Sequence, residues 1–172
     1  MDTNYLLTAG HMGIQYLHAY GFKVIGIDLS KDALEEAKAS GADYTFSPKD
    51  DPDYVEQVRK LTGKGCHGCI NFTNSTLAYW NAPQVLRYNG VLMVTGIPQK
   101  PIQFQGMDVS MLRIRVRGAN NGRTDQLRNC LEFSAKHGIE PHMTKYKLEQ
   151  FQEMVDLMEA GQHKGRMGIV FD

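Results

Sequence analysis

The chain has 172 residues, enough for one domain with a real core, and its 42% apolar and 22% charged residues are ordinary for a globular protein. Lys and Arg number 19, as do Asp and Glu, so no net field attracts the chain to nucleic acid or acidic membranes. No apolar run approaches the roughly 20 residues of a membrane span, and the N-terminus has no basic, secretory-type start. Three cysteines fit free thiols in a reducing compartment. We therefore expect a cytoplasmic protein with no nucleic-acid partner and no membrane association.

Short apolar runs alternate with amphipathic stretches along the chain. The pattern predicts six strands, at Tyr5–Thr8, Lys23–Asp28, Tyr44–Phe46, Gly68–Phe72, Gly90–Thr95 and Arg113–Gly118. It predicts five helices between and after them, at Met12–Tyr20, Lys31–Ser40, Tyr54–Leu61, Thr76–Leu86 and Thr124–His137. Strands that alternate with helices of about ten residues form right-handed βαβ units. We therefore expect an α/β fold, a doubly wound six-stranded parallel sheet with helices on both faces.

The last part of the chain lies outside this alternation. After Pro141 come a helix-like segment, LEQFQEMVDLMEAG, and a strand-like segment, RMGIVFD. We therefore divide the chain into a main domain, residues 1–140, and a C-terminal helix-strand tail, residues 141–172.

The first predicted strand leads directly into the turn T-A-G-H-M-G. A helix that begins at the carboxyl edge of a parallel sheet leaves unpaired N–H groups there, which together with the helix dipole favour a phosphate. The dinucleotide fingerprint G-x-G-x-x-G serves this purpose, followed about 20 residues later by an acid for the ribose hydroxyls. This chain has Thr8-x-Gly10-x-x-Gly13, with Asp28 at the end of the second strand. The motif is partial, and glycines in such a turn can also serve packing alone.

The acid at Asp28 bears on the choice between the two nicotinamide cofactors. A carboxylate accepts hydrogen bonds from a ribose 2′-OH and repels a 2′-phosphate, so NAD is favoured over NADP. Lys31 follows closely and is either a contact on the ribose side or an exposed residue of the first helical turn.

Five stretches of the chain resemble a known family. They are TAGHMGIQYLHAYGFKVIGIDLSKDALEEAKASGADYTFSPKD, VRKLTGKGCHGCINF, APQVLRYNGVLMVTGIPQKPI, IRVRGANNGRTDQL and HKGRMGIVFD. In this order they resemble the cofactor-binding, C-terminal half of medium-chain, zinc-type alcohol dehydrogenases. The resemblance implies a Rossmann domain for NAD, truncated from an N-terminal catalytic domain that holds the zinc. It also implies that the tail packs back on that domain and that this chain alone does not oxidise alcohols.

The resemblance further implies which residues hold the cofactor. Backbone amides of His11 and Met12 would face the diphosphate, Asp28 would hold the adenosine ribose, and Arg166 would reach the pyrophosphate. Backbone groups after the fifth and sixth strands would meet the nicotinamide carboxamide, namely Thr95, Gly96, Ile97, Ala119 and Asn121. No catalytic residue and no metal ligand is expected in this chain. Thr8 in place of glycine departs from the family pattern and bears on cofactor affinity.

Three other patterns invite a second interpretation. Cys66 and Cys69 have C-x-x-C spacing, but no second Cys/His pair follows at the spacing of a zinc site, so we favour packing. The segment RIRVRG, residues 113–118, reads as an edge strand kept soluble by arginine, or as the sheet edge that joins two subunits in a homodimer. The stripe of Met154, Leu157 and Met158 reads as core or as a contact to another domain.

Other functions remain open at this point. A zinc-independent quinone or enoyl reductase of the same superfamily would usually prefer NADPH and want a basic residue instead of Asp28. A non-catalytic dinucleotide-binding module would use the same glycine turn. A methyltransferase also has a glycine turn and an acid after the second strand, but the segments GVLMVTGIP and HKGRMGIVFD do not suit it.

Overall fold

The computed structural model of the chain describes residues 5–8, 10–162 and 166–171, with side chains from residue 10 onward. The strands are Tyr5–Thr8 (β1), Lys23–Ile27 (β2), Tyr44–Phe46 (β3), Cys66–Asn71 (β4), Leu86–Val94 (β5), Ile114–Gly118 (β6), Met143–Tyr146 (β7) and Arg166–Ile169 (β8). The helices are His11–Ala19 (α1), Lys31–Ala39 (α2), Tyr54–Thr62 (α3), Thr76–Val85 (α4), Gly106–Ser110 (α5), Thr124–His137 (α6) and Phe151–Glu159 (α7). A 3₁₀ turn at Leu148–Gln150 precedes α7.

The main sheet is parallel throughout and has the order β3-β2-β1-β4-β5-β6. The chain begins in the middle, builds outward to β3, returns to the other side of β1 and builds outward to β6. The strand order thus reverses between β1 and β4, and in open sheets of this kind ligands bind outside the carboxyl ends of the strands at that point. The α/β class with parallel strands and intervening helices is confirmed.

Helices cover both faces of this sheet. On β2, Val24 packs with α1 and α2 in one apolar cluster, whereas Ile25 packs with α3 and α4 in the other. Successive residues of a strand point to opposite faces, so the two clusters lie on the two sides of the sheet. Because both of its faces are buried, the inner part of β2 is an apolar run, whereas the edge strand β6 alternates Arg115 and Arg117 with apolar residues and is mostly exposed.

Helix α2 illustrates why these residues fold as they do. The Ser30 hydroxyl caps the helix by accepting a hydrogen bond from the amide of Ala33 at 3.4 Å, and Ala37 is buried against the sheet. The helix ends at Ala39, and Gly41 follows with φ of 99°. Only a residue without a Cβ adopts that conformation readily, so Gly41 fixes where the chain turns toward β3.

Three elements differ from the sequence expectation. β5 begins at Leu86, four residues before the predicted start, and a bulge between Cys66 and Gly68 in the β4 pairing accommodates Asn89 at φ of 61°. Neither α5 nor β7 was expected, because both are short and lack periodicity. Pro83 lies in the last turn of α4, which ends at Val85.

The C-terminal tail forms a separate parallel pair, β7 with β8. Its first residues contact α1 through the His142 amide, which donates to His11 Nε2 at 3.2 Å. Just before the tail, the Gln15 side chain donates to the Glu140 carbonyl at 2.9 Å and accepts from the Glu140 amide at 3.2 Å. Residues 163–165, the start of the segment HKGRMGIVFD, lie outside the described residues. In the described part of the chain, no helix has the length and apolarity needed to cross a membrane.

Candidate functional site

The turn between β1 and α1 presents backbone amides at the carboxyl edge of the sheet. Gly10 caps α1 with φ of 96°, and a Cβ placed there would meet nothing within 4 Å, so the backbone is open to a close approach. The amides of His11, Met12 and Gly13 belong to the first turn, where no carbonyl of the helix can accept from them. These donors and the helix dipole favour an anion.

Thr8 is the last residue of β1 and pairs with Gly26 on β2 and Ile70 on β4. It therefore lies at the central strand immediately before the turn.

A cavity of about 620 Å³ opens between this turn and the start of α2. Gly10 and His11 line one side, Asp28 and Ser30 line the other, and Gly161 reaches it from the tail. The cavity thus connects the anion-favouring amides with the acid that closes β2.

Asp28 also lines a second, smaller cavity of about 270 Å³ on the other side of its carboxylate. The second cavity lies between the carboxyl ends of β2 and β4 and the first turns of α4. Its apolar walls include Leu29, Ile70, Leu77 and Ala78. An apolar slot next to a carboxylate, which is itself next to turn amides that favour an anion, follows the order adenine, ribose, diphosphate.

The sequence analysis missed this slot. Leu29 and Leu77 are each 65% exposed, and both follow shortly after a strand end. Exposed leucines just beyond the carboxyl ends of β2 and β4, the two strands that flank β1, were the available signal.

The Asp28 carboxylate is held in place from its own loop. Its Oδ1 accepts from the Ser30 amide at 3.0 Å, and its backbone amide donates to the Phe46 carbonyl at 3.3 Å. The side chain is half-buried and lines both cavities.

A cluster of charged and imidazole groups connects the Gly10 turn, between β1 and α1, with the tail. The backbone amide of His142 donates to His11 Nε2 at 3.2 Å, the two imidazole rings stack at 5.4 Å, and His142 Nδ1 contacts the Glu36 carboxylate. Burial lowers the pKa of His11; the neighbouring Glu36 opposes this shift, and His142 and Arg166 add to it.

The same cluster places Arg166 near the turn. The Arg166 amide donates to the His142 carbonyl at 2.9 Å, which fixes the start of β8 against the segment that contacts His11. The charge of Arg166 contributes to the lowering of the His11 pKa, and the assignment of Arg166 to the pyrophosphate stays a prediction. Sequence spacing could not reveal this arrangement, because 131 residues separate His11 from His142.

The opposite end of the carboxyl edge is organised around Asn71. Its carbonyl accepts from the amides of Thr95 and Gly96 at 3.1 and 2.9 Å, and its Oδ1 accepts from the Thr73 amide at 2.9 Å. The buried Tyr79 hydroxyl donates to the Gly96 carbonyl at 2.6 Å. The amides of Thr95 and Gly96 are therefore engaged within the protein.

One group here lacks a partner. The hydroxyl oxygen of Thr95 is buried and has no hydrogen-bond partner among the described residues. Buried hydroxyls are normally satisfied, so this orphan just after β5 is unusual, although Thr95 lines none of the cavities at this edge of the sheet.

The remaining predicted contacts lie further out. Ile97 is 79% exposed and lines an open cavity beside Gly96, the Ala119 amide donates to the Val94 carbonyl at 2.9 Å, and Asn121 is exposed. Lys31 is exposed at the start of α2 and lines neither of the two cavities beside Asp28. These assignments stay predictions.

The described residues do not fit a zinc site. Cys66 and Cys69 are buried in the core, and burial raises the pKa of the Cys66 thiol to about 12 and that of Cys69 still further. Neutral thiols are poor ligands, and no group of three His, Cys, Asp or Glu side chains within residues 10–162 and 166–171 is placed to hold a metal ion. We therefore assign no step to a metal in this part of the chain.

Comparison with known proteins identifies the family. Residues 9–136 match the family described as zinc-binding dehydrogenase, a range that includes Gly10 and Asp28 and excludes Thr8 and Arg166. An alcohol dehydrogenase of Rhizobium meliloti (strain 1021) is 34% identical over 163 residues, which are 95% of this chain and 47% of that protein. The NAD-dependent alcohol dehydrogenase of Sulfurisphaera tokodaii is 29% identical over 164 residues, 94% of this chain and 47% of that protein. The chain thus spans about half the length of the curated relatives it matches.

Solved structures agree on the fold. The alcohol dehydrogenase of the archaeon Aeropyrum pernix superposes with a TM-score of 0.86 at 23% identity, covering 98% of this chain and 50% of that one. The benzyl alcohol dehydrogenase of Acinetobacter calcoaceticus has a TM-score of 0.84 at 19% identity, with 98% and 50% covered. At these identities the likeness concerns the fold alone. Because the family match covers most of its length, the chain belongs to the zinc-binding dehydrogenase family. It corresponds to the C-terminal half of its relatives.

Proposed function

We propose that this chain binds NAD and forms the cofactor-binding half of a zinc-dependent alcohol dehydrogenase. The observation that carries the proposal is the position of Asp28, which lines both the cavity next to the Gly10 turn and the apolar slot beyond β2. A carboxylate at the junction of an anion site and a purine-sized slot is where an adenosine ribose belongs.

In this proposal each group binds a different part of NAD. The amides of His11, Met12 and Gly13 bind the diphosphate, and Arg166 adds a cationic donor from the tail. Asp28 accepts hydrogen bonds from the ribose hydroxyls, and the slot excludes water from the adenine. Bound NAD supplies the hydride acceptor, and the zinc of the catalytic half supplies polarisation of the alcohol oxygen.

The nicotinamide end is oriented by the edge near β5. Ile97, which is exposed and lines an open cavity beside Gly96, is the residue available to the carboxamide, with the segment from Ala119 to Asn121 beyond it. Asn71 and Tyr79 hold this edge rigid from below. The role of this chain is therefore to bind and orient the cofactor.

Calorimetric titration with NAD and NADP tests the proposal. The loss of a hydrogen bond to a charged group costs about 1.5–3 kcal/mol, so Asp28→Ala should weaken NAD binding roughly ten- to a hundredfold. Glu132→Gln removes one exposed negative charge on α6, away from both cavities, and should leave NAD binding unchanged.

The outcomes separate the alternatives. Tighter binding of NADP than of NAD would favour a zinc-independent quinone or enoyl reductase. A folded protein that binds neither dinucleotide would contradict the proposal. Equal losses of NAD affinity in Asp28→Ala and Glu132→Gln would show that only the overall charge of the protein matters, and would contradict the assigned role of Asp28.

A further inference from the structure

A third cavity, of about 520 Å³, lies at the opposite edge of the sheet. Its walls come from the end of α3, the end of α4 and the amino ends of β5 and β6. It shares no lining residue with the two cavities beside Asp28. A ligand here would therefore be independent of a dinucleotide at the carboxyl edge.

Positive charge is concentrated in this amino-edge cavity. Arg59, Lys64, Arg87 and Arg113 line it, with Asp108 as its single acid. Asp108 pairs with Arg113 at 3.3 Å, which leaves three cations without a carboxylate in the lining. The chain as a whole has no net charge, so this accumulation is local.

Arg87 supplies a second observation that indicates a ligand. Its Nε atom is buried and has no hydrogen-bond partner among the described residues. A buried donor left unsatisfied costs about 1–3 kcal/mol, more when the group is charged, so such groups are nearly always paired. An anion in the cavity would satisfy it.

The cavity is held together by backbone contacts. Gly65 has φ of 97°, and a Cβ there would lie 2.6 Å from the backbone nitrogen of Arg87. The turn that carries Lys64 therefore packs directly against the Arg87 backbone. Arg59 Nε donates to the Gln84 carbonyl at 2.6 Å, which anchors a third cation at the end of α4. The cations are therefore positioned by the fold.

We propose that the amino-edge cavity binds a small molecule through a multivalent phosphate group, with Arg87 as the central donor. A guanidinium matches phosphate oxygens in a bidentate arrangement, and Lys64 adds a point charge at the rim. The volume accommodates a phosphate with a small organic substituent as well as an inorganic phosphate.

Nuclear magnetic resonance on ¹⁵N-labelled protein tests this directly, with pyrophosphate and ribose 5-phosphate as probes. Titrations are made with saturating NAD and repeated without it, so the result does not depend on the proposed function. The Nε–H signal of Arg87 and the amides of Lys64 and Gly65 should shift saturably with at least one probe. A response to pyrophosphate alone assigns inorganic phosphates as the ligand class, whereas a response to both assigns phosphate esters as well.

Matched variants separate a site from general attraction. Arg87→Gln should weaken pyrophosphate binding at least tenfold, and Lys64→Gln several-fold. Lys60→Gln removes the same charge from an exposed position on α3, where Lys60 pairs with Glu56, and should change binding less than twofold. If Arg87→Gln does not fold, the affinities of Lys64→Gln and Arg113→Gln for pyrophosphate test the site instead. An unmoved Arg87 Nε–H signal at saturating probe, or equal losses in Lys60→Gln and Lys64→Gln, would overturn the proposal.

Discussion

Gly96 follows β5 at a position where no side chain fits. A Cβ there would lie 2.0 Å from the Thr73 carbonyl oxygen and 2.5 Å from the Phe72 carbonyl carbon. Both are backbone atoms, so the loop after β4 would have to move. We expect Gly96→Ala to lower the free energy of unfolding by about 2–3 kcal/mol, measured by urea denaturation.

Gly118→Ala is the control for this change. Gly118 ends the neighbouring strand β6, and a Cβ there would meet nothing within 4 Å. The free energy of unfolding should stay within about 0.5 kcal/mol of wild type. If both variants lose the same stability, the close approach at Gly96 is not the cause. If Gly96→Ala is as stable as wild type, the loop after β4 yields easily.

The three cysteines should differ sharply in reactivity. The thiolate is the nucleophile, and burial raises the pKa of Cys66 to about 12, so at pH 8 only about one such thiol in ten thousand is ionised. Cys69 is buried with it, whereas Cys130 is exposed on α6. A disulfide reagent should label one thiol rapidly in the native protein and all three in denaturant. Cys130→Ser should abolish the rapid phase, and rapid labelling that persists in this variant would contradict the assigned burial.

At the scale of single residues, the interactions that can be predicted from a sequence are those between residues near in the chain. Ser30 caps α2 and Gly41 ends it, because both effects arise within one helical turn. The contacts of His142 with His11 and Glu36 could not be predicted, because they depend on how the tail folds back over more than one hundred residues. The orphan hydroxyl of Thr95 likewise appears only once β4, β5 and α4 are packed.

At the scale of elements, the strands with continuous apolar runs were predictable, and the short ones were not. β1 and β3 have the expected bounds, since each is a short run of mainly apolar or aromatic residues bounded by turn residues. β7 has exposed residues at three of its four positions and no apolar run, so only its pairing with β8 makes it a strand. The domain boundary at residue 140 stays a prediction.

The attachment of the tail to α1 should weaken in acid. The His142 amide donates to His11 Nε2, which requires His11 to be neutral, and burial lowers the pKa of His11 below its usual 6.5. A lowered pKa in the folded state means that this contribution is fully present above about pH 6.5 and is lost as the pH falls through the folded pKa. Without nucleotide, the His142 amide should stay protected from hydrogen exchange, corrected for its intrinsic rate, above about pH 6.5 and lose protection as the pH falls below that value.

The same segment contains its own control. The Glu140 amide donates to Gln15 Oε1, which does not titrate, so its protection should change less over this range. In His11→Gln the pH dependence at His142 should flatten. Equal loss of protection at Glu140 and His142 in both proteins would mean that the whole tail detaches for a reason other than His11.

At the scale of the whole molecule, a ligand that binds only the folded state raises the free energy of unfolding by an amount set by its concentration relative to Kd. At 100 times Kd the gain is about 2.7 kcal/mol, which for a chain of this size raises Tm by roughly 5–10 °C. NAD should therefore stabilise the wild type by this amount. At the same concentration Asp28→Ala, with its weaker binding, should gain only about 0.4–1.4 kcal/mol.

The two proposed sites predict a crossed pattern in such melts, because they lie at opposite edges of one sheet and share no lining residue. Arg87→Gln should keep the stabilisation by NAD and lose that by pyrophosphate added on top of saturating NAD. Asp28→Ala should lose most of the stabilisation by NAD and keep the response of its Arg87 Nε–H signal to pyrophosphate. Full stabilisation of Asp28→Ala by NAD would remove the carboxylate from the ribose site. Loss of both responses in Arg87→Gln would mean that the amino edge and the carboxyl edge are coupled through the strands that join them.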